Sequence, residues 1–339
     1  MKIFAVSDIH GCATALISSL CEAGFDPKNS EHLLIVLGDL FDRGSENRRV
    51  LEYLSGVKNK ILIRGNHEDI LLESLTSGAV TNLQFVNGTH VTLAEFFSYY
   101  HGESLLNIID SSQRRVAEKL IGLIESMYDY FETEGYIFVH GWLPDDAQEK
   151  DFRYATSAKW NNARWLRWHT RYPNFDIPDN KTLVVGHTPC YYASMFDRSR
   201  SDYDCSIFYG HNLVAIDGAA VSKGRVNVFV TQDEVYLPVT HELCVEAEEL
   251  NTYARGELTC CVLPFEGEAR EIRVGDKLRL KNTDTNSLTF NVTALRLCED
   301  YDTFVKEGFF YNALNSASLL GRAKAAINSR LGVLLLVIS

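Results

Sequence analysis

Five times along this chain of 339 residues, a short apolar run ends in Asp, His or Asn side chains flanked by glycine. That recurrence constrains the fold more than any other feature. The segments are Val6-Ser7-Asp8-Ile9-His10-Gly11, Val36-Leu37-Gly38-Asp39-Leu40-Phe41-Asp42-Arg43-Gly44, Ile63-Arg64-Gly65-Asn66-His67-Glu68, Phe138-Val139-His140-Gly141 and Val184-Val185-Gly186-His187-Thr188. The apolar runs read as buried strands, and helical stretches at 13–23, 46–54 and 68–75 follow the first three. Strands alternating with helices predict an α/β sheet with helices on its faces. Such sheets gather their working side chains at the carboxyl ends of the strands, so the five loops are expected to converge. Further strands are expected at 182–185, 213–216 and 226–230. Between 91 and 131 a helical period dominates, with Val116, Leu120, Leu123, Ile124 and Met127 on one face. This stretch reads as a helical insertion beside the site, placed to act as a lid.

The net charge of −12, from 45 acidic and 33 basic residues, argues against a nonspecific nucleic-acid coat protein. No apolar run approaches the roughly 18 residues of a membrane span. The run at 331–338 reads as a strand. The apolar residues 3–6 lead directly into Asp8 and His10, so they do not read as a signal peptide. The eight cysteines form no CxxC pair. They are read as reduced thiols of a cytoplasmic protein.

Carboxylate and amide oxygens mixed with imidazole suit Mn²⁺, iron or Zn²⁺ better than an ion that prefers thiolate. One carboxylate can bridge two such ions, which then lie roughly 3.5–4 Å apart and acidify a water beside a phosphate group. The series SDIHG, GDLFDRG, GNHE, HGW and GHT resembles the metallophosphoesterases, and among them the PPP-type phosphatases. That group includes the Ser/Thr protein phosphatases and the diadenosine-tetraphosphate hydrolases. The resemblance covers about residues 1–237 and departs from the pattern only at Ser7. It implies a calcineurin-like β-sandwich flanked by helices, holding two divalent ions, Mn²⁺ foremost with iron or zinc as alternatives. By the same resemblance, Asp8, His10 and Asp39 hold one ion. Asp39 also bridges to the second, which Asn66, His140 and His187 complete. Arg43 grips the phosphate. His67 is the general acid, and Asp42 orients it and raises its pKa. A second phosphate-binding arginine is assigned to Arg164, with Arg167 the alternative. Outside the motifs, His211 is the histidine with most claim to a role.

Beyond about residue 239 the strand–helix rhythm is lost. Val274-Gly275-Asp276-Lys277-Leu278-Arg279-Leu280 and the hairpin after it resemble an ASCH domain, a small α+β barrel of the PUA-like class. The family's Lys and Glu are replaced here by Leu258 and Cys261. Two domains are expected, at 1–238 and 245–339. Lys277, Arg279 and Lys281 alternate along one strand as a small basic stripe. The resemblances imply a Ser/Thr protein phosphatase-like enzyme acting on phosphoproteins or small phosphate esters. The alternative is a phosphoesterase for nucleotides, dinucleoside polyphosphates or RNA ends, with the C-terminal domain presenting the substrate. A non-catalytic metal-binding protein ranks third, and no membrane partner is expected.

Overall fold

The fold is given by a computed structural model that describes residues 1–99, 104–105, 111–145, 151–236, 238–282, 286–311, 313, 316–329, 331 and 333–339. The chain divides into two compact units, Met1–Leu143 with Asn161–Val235, and Pro144–Trp160 with Tyr236–Ser339.

The first unit holds two sheets. Strands β1 (Lys2–Val6), β2 (His32–Val36) and β3 (Lys60–Leu62) run parallel. Their crossovers are helices α1 (Ala13–Glu22) and α2 (Asn47–Gly56). The second sheet contains β4 (Tyr130–Glu132), β5 (Tyr136–Val139), β6 (Thr182–Val185), β7 (Phe208–Gly210) and β8 (Leu213–Ala215), in the order β4-β5-β6-β8-β7. Strand β9 (Phe229–Gln232) closes the first sheet antiparallel to β1, giving β3-β2-β1-β9.

Alternation along β1 explains the layering. Ile3 and Ala5 join Leu33, Ile35, Phe138, Val184 and Val214 in a core drawn from both sheets. Phe4 and Val6 point the other way, with Leu34 and Val36, into a core shared with helices α1 and α2. Strands covered on both faces read as continuous apolar runs, which is why the sequence shows them so plainly. The short strands β4 and β7 were not expected, and β9 lies three residues beyond its expected start. Asn227 instead hydrogen-bonds the Cys205 carbonyl.

Among the described residues between β3 and β4, the helices are α3 (Asn66–Ser77), α4 (Asn82–Val86), α5 (Thr89–Phe97) and α6 (Ser111–Glu125). The expected insertion at 91–131 therefore holds most of α5, all of α6 and the short β4. Its residues 100–103 and 106–110 lie outside the described residues. Among the described residues, no helix is long and apolar enough to cross a membrane.

The second unit carries a mixed sheet of β10 (Thr240–Cys244), β11 (Cys260–Pro264), β12 (Lys277–Lys281), β13 (Ser287–Cys298) and β14 (Val333–Ile338), ordered β10-β12-β13-β14-β11. The segment 144–160, expected within the first domain, is tied into this unit. The Ser157 amide donates to Glu307 at 3.1 Å, and Arg296 Nε donates to Ser157 Oγ at 3.0 Å. Lys277, Arg279 and Lys281 do share a face, but Glu242 on β10 pairs with Arg279 at 3.2 Å and Lys281 at 2.5 Å. That single carboxylate offsets one of the stripe's three positive charges. Cys260 and Cys261 are both buried in the core of this unit.

Candidate active site

The site is built on strand ends in the first unit. Asp8 and His10 follow β1, Asp39 through Arg43 follow β2, and Asn66 and His67 open α3 just after β3. His140 follows β5, and His187 follows β6. Asp8, His10, Asp39, Asp42, Arg43 and His187 all have positive φ, between 45° and 73°. Each costs on the order of 1 kcal/mol or more. Gly38 (φ 80°) is required by packing as well as by backbone. A Cβ there would lie 2.5 Å from the Gly65 nitrogen and 3.0 Å from His140 Nδ1.

Asp39 lies at the centre. Its Oδ2 is 3.6 Å from His10 Nε2 and 3.9 Å from His67 Nε2, and its Oδ1 is 3.4 Å from His140 Nε2. Two candidate metal-ligand groups share this carboxylate, one with His10 and His67, the other with His140 and His187. The ring tautomers follow from backbone partners. His10 Nδ1 lies 2.9 Å from the Phe41 carbonyl and His140 Nδ1 2.6 Å from the Leu37 carbonyl. A carbonyl only accepts, so Nδ1 carries the proton in each and Nε2 turns a lone pair inward. His140 Nε2 meets Asn66 Oδ1 at 2.8 Å, lone pair against lone pair. His187 Nε2 is buried with no hydrogen-bond partner. Asp8 Oδ2 accepts from the Ser7 hydroxyl and from the His187 amide, the latter at 2.8 Å.

Glu68 fixes the loops beneath these groups, a role the sequence reading did not assign. Its Oε2 accepts from the amides of Asp39 and Gly65, both at 2.8 Å, and its Oε1 from the amide of Leu40 at 2.9 Å. Burial, and then the Asp8 and Glu68 carboxylates, push the Asp39 carboxyl well above the usual range. Asp217, also unforeseen, is buried in the same cavity wall. Its carboxyl is likewise pushed well up by burial and by Asp8.

His67 Nδ1–H donates to Asp42 Oδ2 at 2.8 Å, the expected pairing. The expected rise in the His67 pKa is corrected. Burial lowers it to about 2, and the Arg43 charge and His140 add to the fall. Arg43 donates to His67 Nε2 at 2.9 Å and to His10 Nε2 at 2.8 Å, so both rings are held neutral. Asp42 itself is raised to about 7 by burial, against hydrogen bonds from Thr92 and Thr89. Those threonines belong to α5, so this part of the insertion works as a floor under Asp42 rather than as a lid.

Arg164 does not reach the cavity, which corrects its assignment to phosphate. It is buried, donating to Asp69 Oδ2 at 2.9 Å, to Asn161 Oδ1 at 2.5 Å and to Asp129. Arg167 lines the cavity instead. The His211 ring is exposed and is not among the cavity's lining residues. The cavity, of about 430 Å³, is lined by Asp8, His10, Asp39, Arg43, Asn66, His67 and His187 from the motifs. Trp165, Tyr191, Tyr192 and Asp217 complete much of the wall.

Buried carboxylates, inward lone pairs and an orphaned imidazole nitrogen together fit divalent cations. The donor set is that of a metal-dependent hydrolase. A family profile described as calcineurin-like phosphoesterase matches residues 1–216, and the chain belongs to that family. It is therefore a phosphoester hydrolase, from a family that works with a binuclear divalent metal centre. Serine/threonine-protein phosphatase 2 of Salmonella typhimurium is 28% identical over 169 residues, covering 49% of this chain and 67% of that protein. The asymmetrical bis(5'-nucleosyl)-tetraphosphatase PrpE of Bacillus subtilis is 25% identical over 252 residues, covering 68% and 96%. Among solved structures, a cold-active protein-tyrosine phosphatase of a psychrophilic Shewanella is 17% identical with a TM-score of 0.44, covering 68% and 74%.

Proposed function

We propose that this chain hydrolyses phosphate esters with two divalent ions that share Asp39, Mn²⁺ being the ion of choice. Asp8 and His10 complete one site, and Asn66, His140 and His187 the other. The observation that carries this reading is the Asp39 carboxylate between two groups of imidazole nitrogens, one ring of each, His10 and His140, being fixed lone pair inward by a backbone carbonyl. Bound there, the ions supply a water acidified to attack phosphorus and positive charge for the phosphate oxygens. Arg43 turns its planar fork from the two imidazoles to the phosphate, and Arg167 grips from the far wall. That turn frees His67 Nε2 from its guanidinium partner. Freed of the Arg43 charge, His67 Nε2 would take up a proton from solvent and pass it to the leaving oxygen, returning to the neutral ring, while Asp42 accepts from Nδ1–H and stabilises the transient imidazolium against the burial that disfavours it.

The Salmonella relatives named as protein phosphatases support a phosphoprotein substrate, and the PrpE relatives support a nucleotide. For the C-terminal unit, an ASCH-like, PUA-like RNA contact draws support from the strand at Lys277–Lys281. The pairing of that strand with Glu242 weighs against it. The reaction class is tested on the full chain, stripped of metal and reloaded with Mn²⁺, using p-nitrophenyl phosphate. Wild type should turn over and Asp39→Asn should not, with bound metal falling well below two equivalents. Undiminished turnover by Asp39→Asn would sink the reading.

A further inference from the structure

We propose that Trp165 is a ring-stacking platform that makes this site selective for nucleotides, with the phosphate between Arg43 and Arg167 and the base on the indole. The inference rests on the phosphoesterase reading above. Trp165 is 43% exposed, whereas Trp142, Trp160 and Trp168 are each 2% exposed or less. Trp165 thus stands open beside a charged cavity, where the other three tryptophans are packed away.

The indole is held rigidly at its edge. Trp165 lines the same cavity as Asp8, Arg43 and His187. Its ring stands edge to face with His187, centroids 6.1 Å apart at 81°. Its amide donates to the Asn162 carbonyl at 3.0 Å. Three residues on, Trp168 Nε1 donates to the Thr188 carbonyl at 2.9 Å and its ring stacks on Phe208. One residue before, Arg164 is locked to Asp69 and Asp129. The platform is thus fixed on both sides, as ring recognition requires. Tyr192, which also lines the cavity, is less available, since His169 covers it face to face at 4.0 Å and 3°.

A stacking surface one imidazole away from the metal-ligand group suits a ring joined to phosphorus by a short linker. A cavity of about 430 Å³ is of the size that takes small molecules. Phosphoserine and phosphothreonine carry no ring near phosphorus, so Trp165 gives them nothing. Any base presents a π-face, so the platform tolerates purine and pyrimidine alike.

The test compares AMP with ribose 5-phosphate, the same phosphate with and without the base, on the Mn²⁺-loaded full chain. The readout is the ratio of their kcat/KM values in wild type, Trp165→Phe and Trp165→Ala. Wild type should favour AMP. Trp165→Ala should cut the preference by about 5- to 150-fold, with Trp165→Phe in between. An unchanged ratio, or equal loss on both esters, overturns the proposal, since a merely structural role through His187 would slow both alike. A preference lost for a phosphotyrosine peptide but not for AMP overturns the nucleotide assignment. If wild type hydrolyses neither these esters nor p-nitrophenyl phosphate, the phosphoesterase reading fails. The same ratio is then read from calorimetric Kd values, which decide the stacking separately.

Discussion

Glu68→Gln isolates what holds the metal loops in place. Glu68 accepts three backbone amides through two oxygens, from Asp39, Gly65 and Leu40. Glutamine keeps one acceptor oxygen. Placed where Oε2 sits, it retains Asp39 and Gly65, and its amide group then faces the Leu40 N–H donor against donor. A buried donor left unmet costs about 1–3 kcal/mol, and the two retained bonds weaken as the acceptor loses its charge. Against this stands relief, because burial raises the Glu68 carboxyl and the substitution removes that charge. The net expectation is a loss of about 1–3 kcal/mol, or roughly 2–12 °C in Tm for a unit of this size. The assay is urea unfolding of metal-free protein at pH 7, with Glu68→Ala, which removes all three acceptors, as the harsher companion. A second readout has the opposite sign. Glu68 helps push Asp39 up, so Glu68→Gln lowers the Asp39 pKa and moves the onset of metal binding to lower pH. Both variants unfolding within about 0.5 kcal/mol of wild type, no more than an ordinary surface substitution costs, would refute the anchoring role.

Arg164→Ala should lower stability by about 3 kcal/mol, because it takes the guanidinium from the buried Asp129, and a calorimetric melt checks this. Arg167→Ala should leave the melt unchanged and cut kcat/KM about 10- to 100-fold, the worth of one charged hydrogen bond. The pH dependence of metal-free stability follows from His10, His67 and His187, all held neutral chiefly by burial. Below about pH 6.5 the unfolded chain binds protons that these rings refuse, so they make stability fall as pH falls. Asp42, raised to about 7, acts the other way, since the folded state binds a proton there that the unfolded chain has released. Asp42→Asn removes that opposing proton, so the variant should lose stability on acidification more steeply than wild type. The difference should be about 1.4 kcal/mol per pH unit between pH 5 and 6, read from urea midpoints.

The ligand loops were legible because each requirement is local: a buried strand, a turn that wants glycine, and a side chain with a lone pair. The supports beneath them were not. Glu68 works on amides 28 and 29 residues away, and Thr89 and Thr92 reach Asp42 across about 50 residues. Serine, threonine and glutamate are common enough on helices that no local pattern marks these roles. The choice between Arg164 and Arg167 turned on geometry three residues long. The helix at Ser157–Ala163 ends just before Arg164, and the turn that follows aims Arg164 at Asp69 and Asp129 and leaves Arg167 on the cavity wall. The attachment of 144–160 to the second unit rests on Ser157, Glu307 and Arg296, partners about 140–150 positions apart, so nothing near 157 announces it.

The electrostatics of the site point one way when its acids and bases are considered together. Asp39 and Asp217 are driven toward protonation by burial and by each other's neighbours, while His10, His67 and His187 are driven away from it. A proton on Asp39 relieves the repulsion with Asp8 but removes a lone pair from the centre of the cluster. A proton on His10 would answer the carboxylates, but it would stand against the Arg43 guanidinium 2.8 Å away. A divalent cation satisfies both demands, because it neutralises carboxylates and accepts imidazole lone pairs at once. Ion loading then adds to folding stability by mass action, about 2.7 kcal/mol per site at a hundredfold excess over Kd. The six positive-φ residues that shape these loops cost free energy that the apolar layers above and below the sheets can sustain, and the ions return part of it where the chemistry is done.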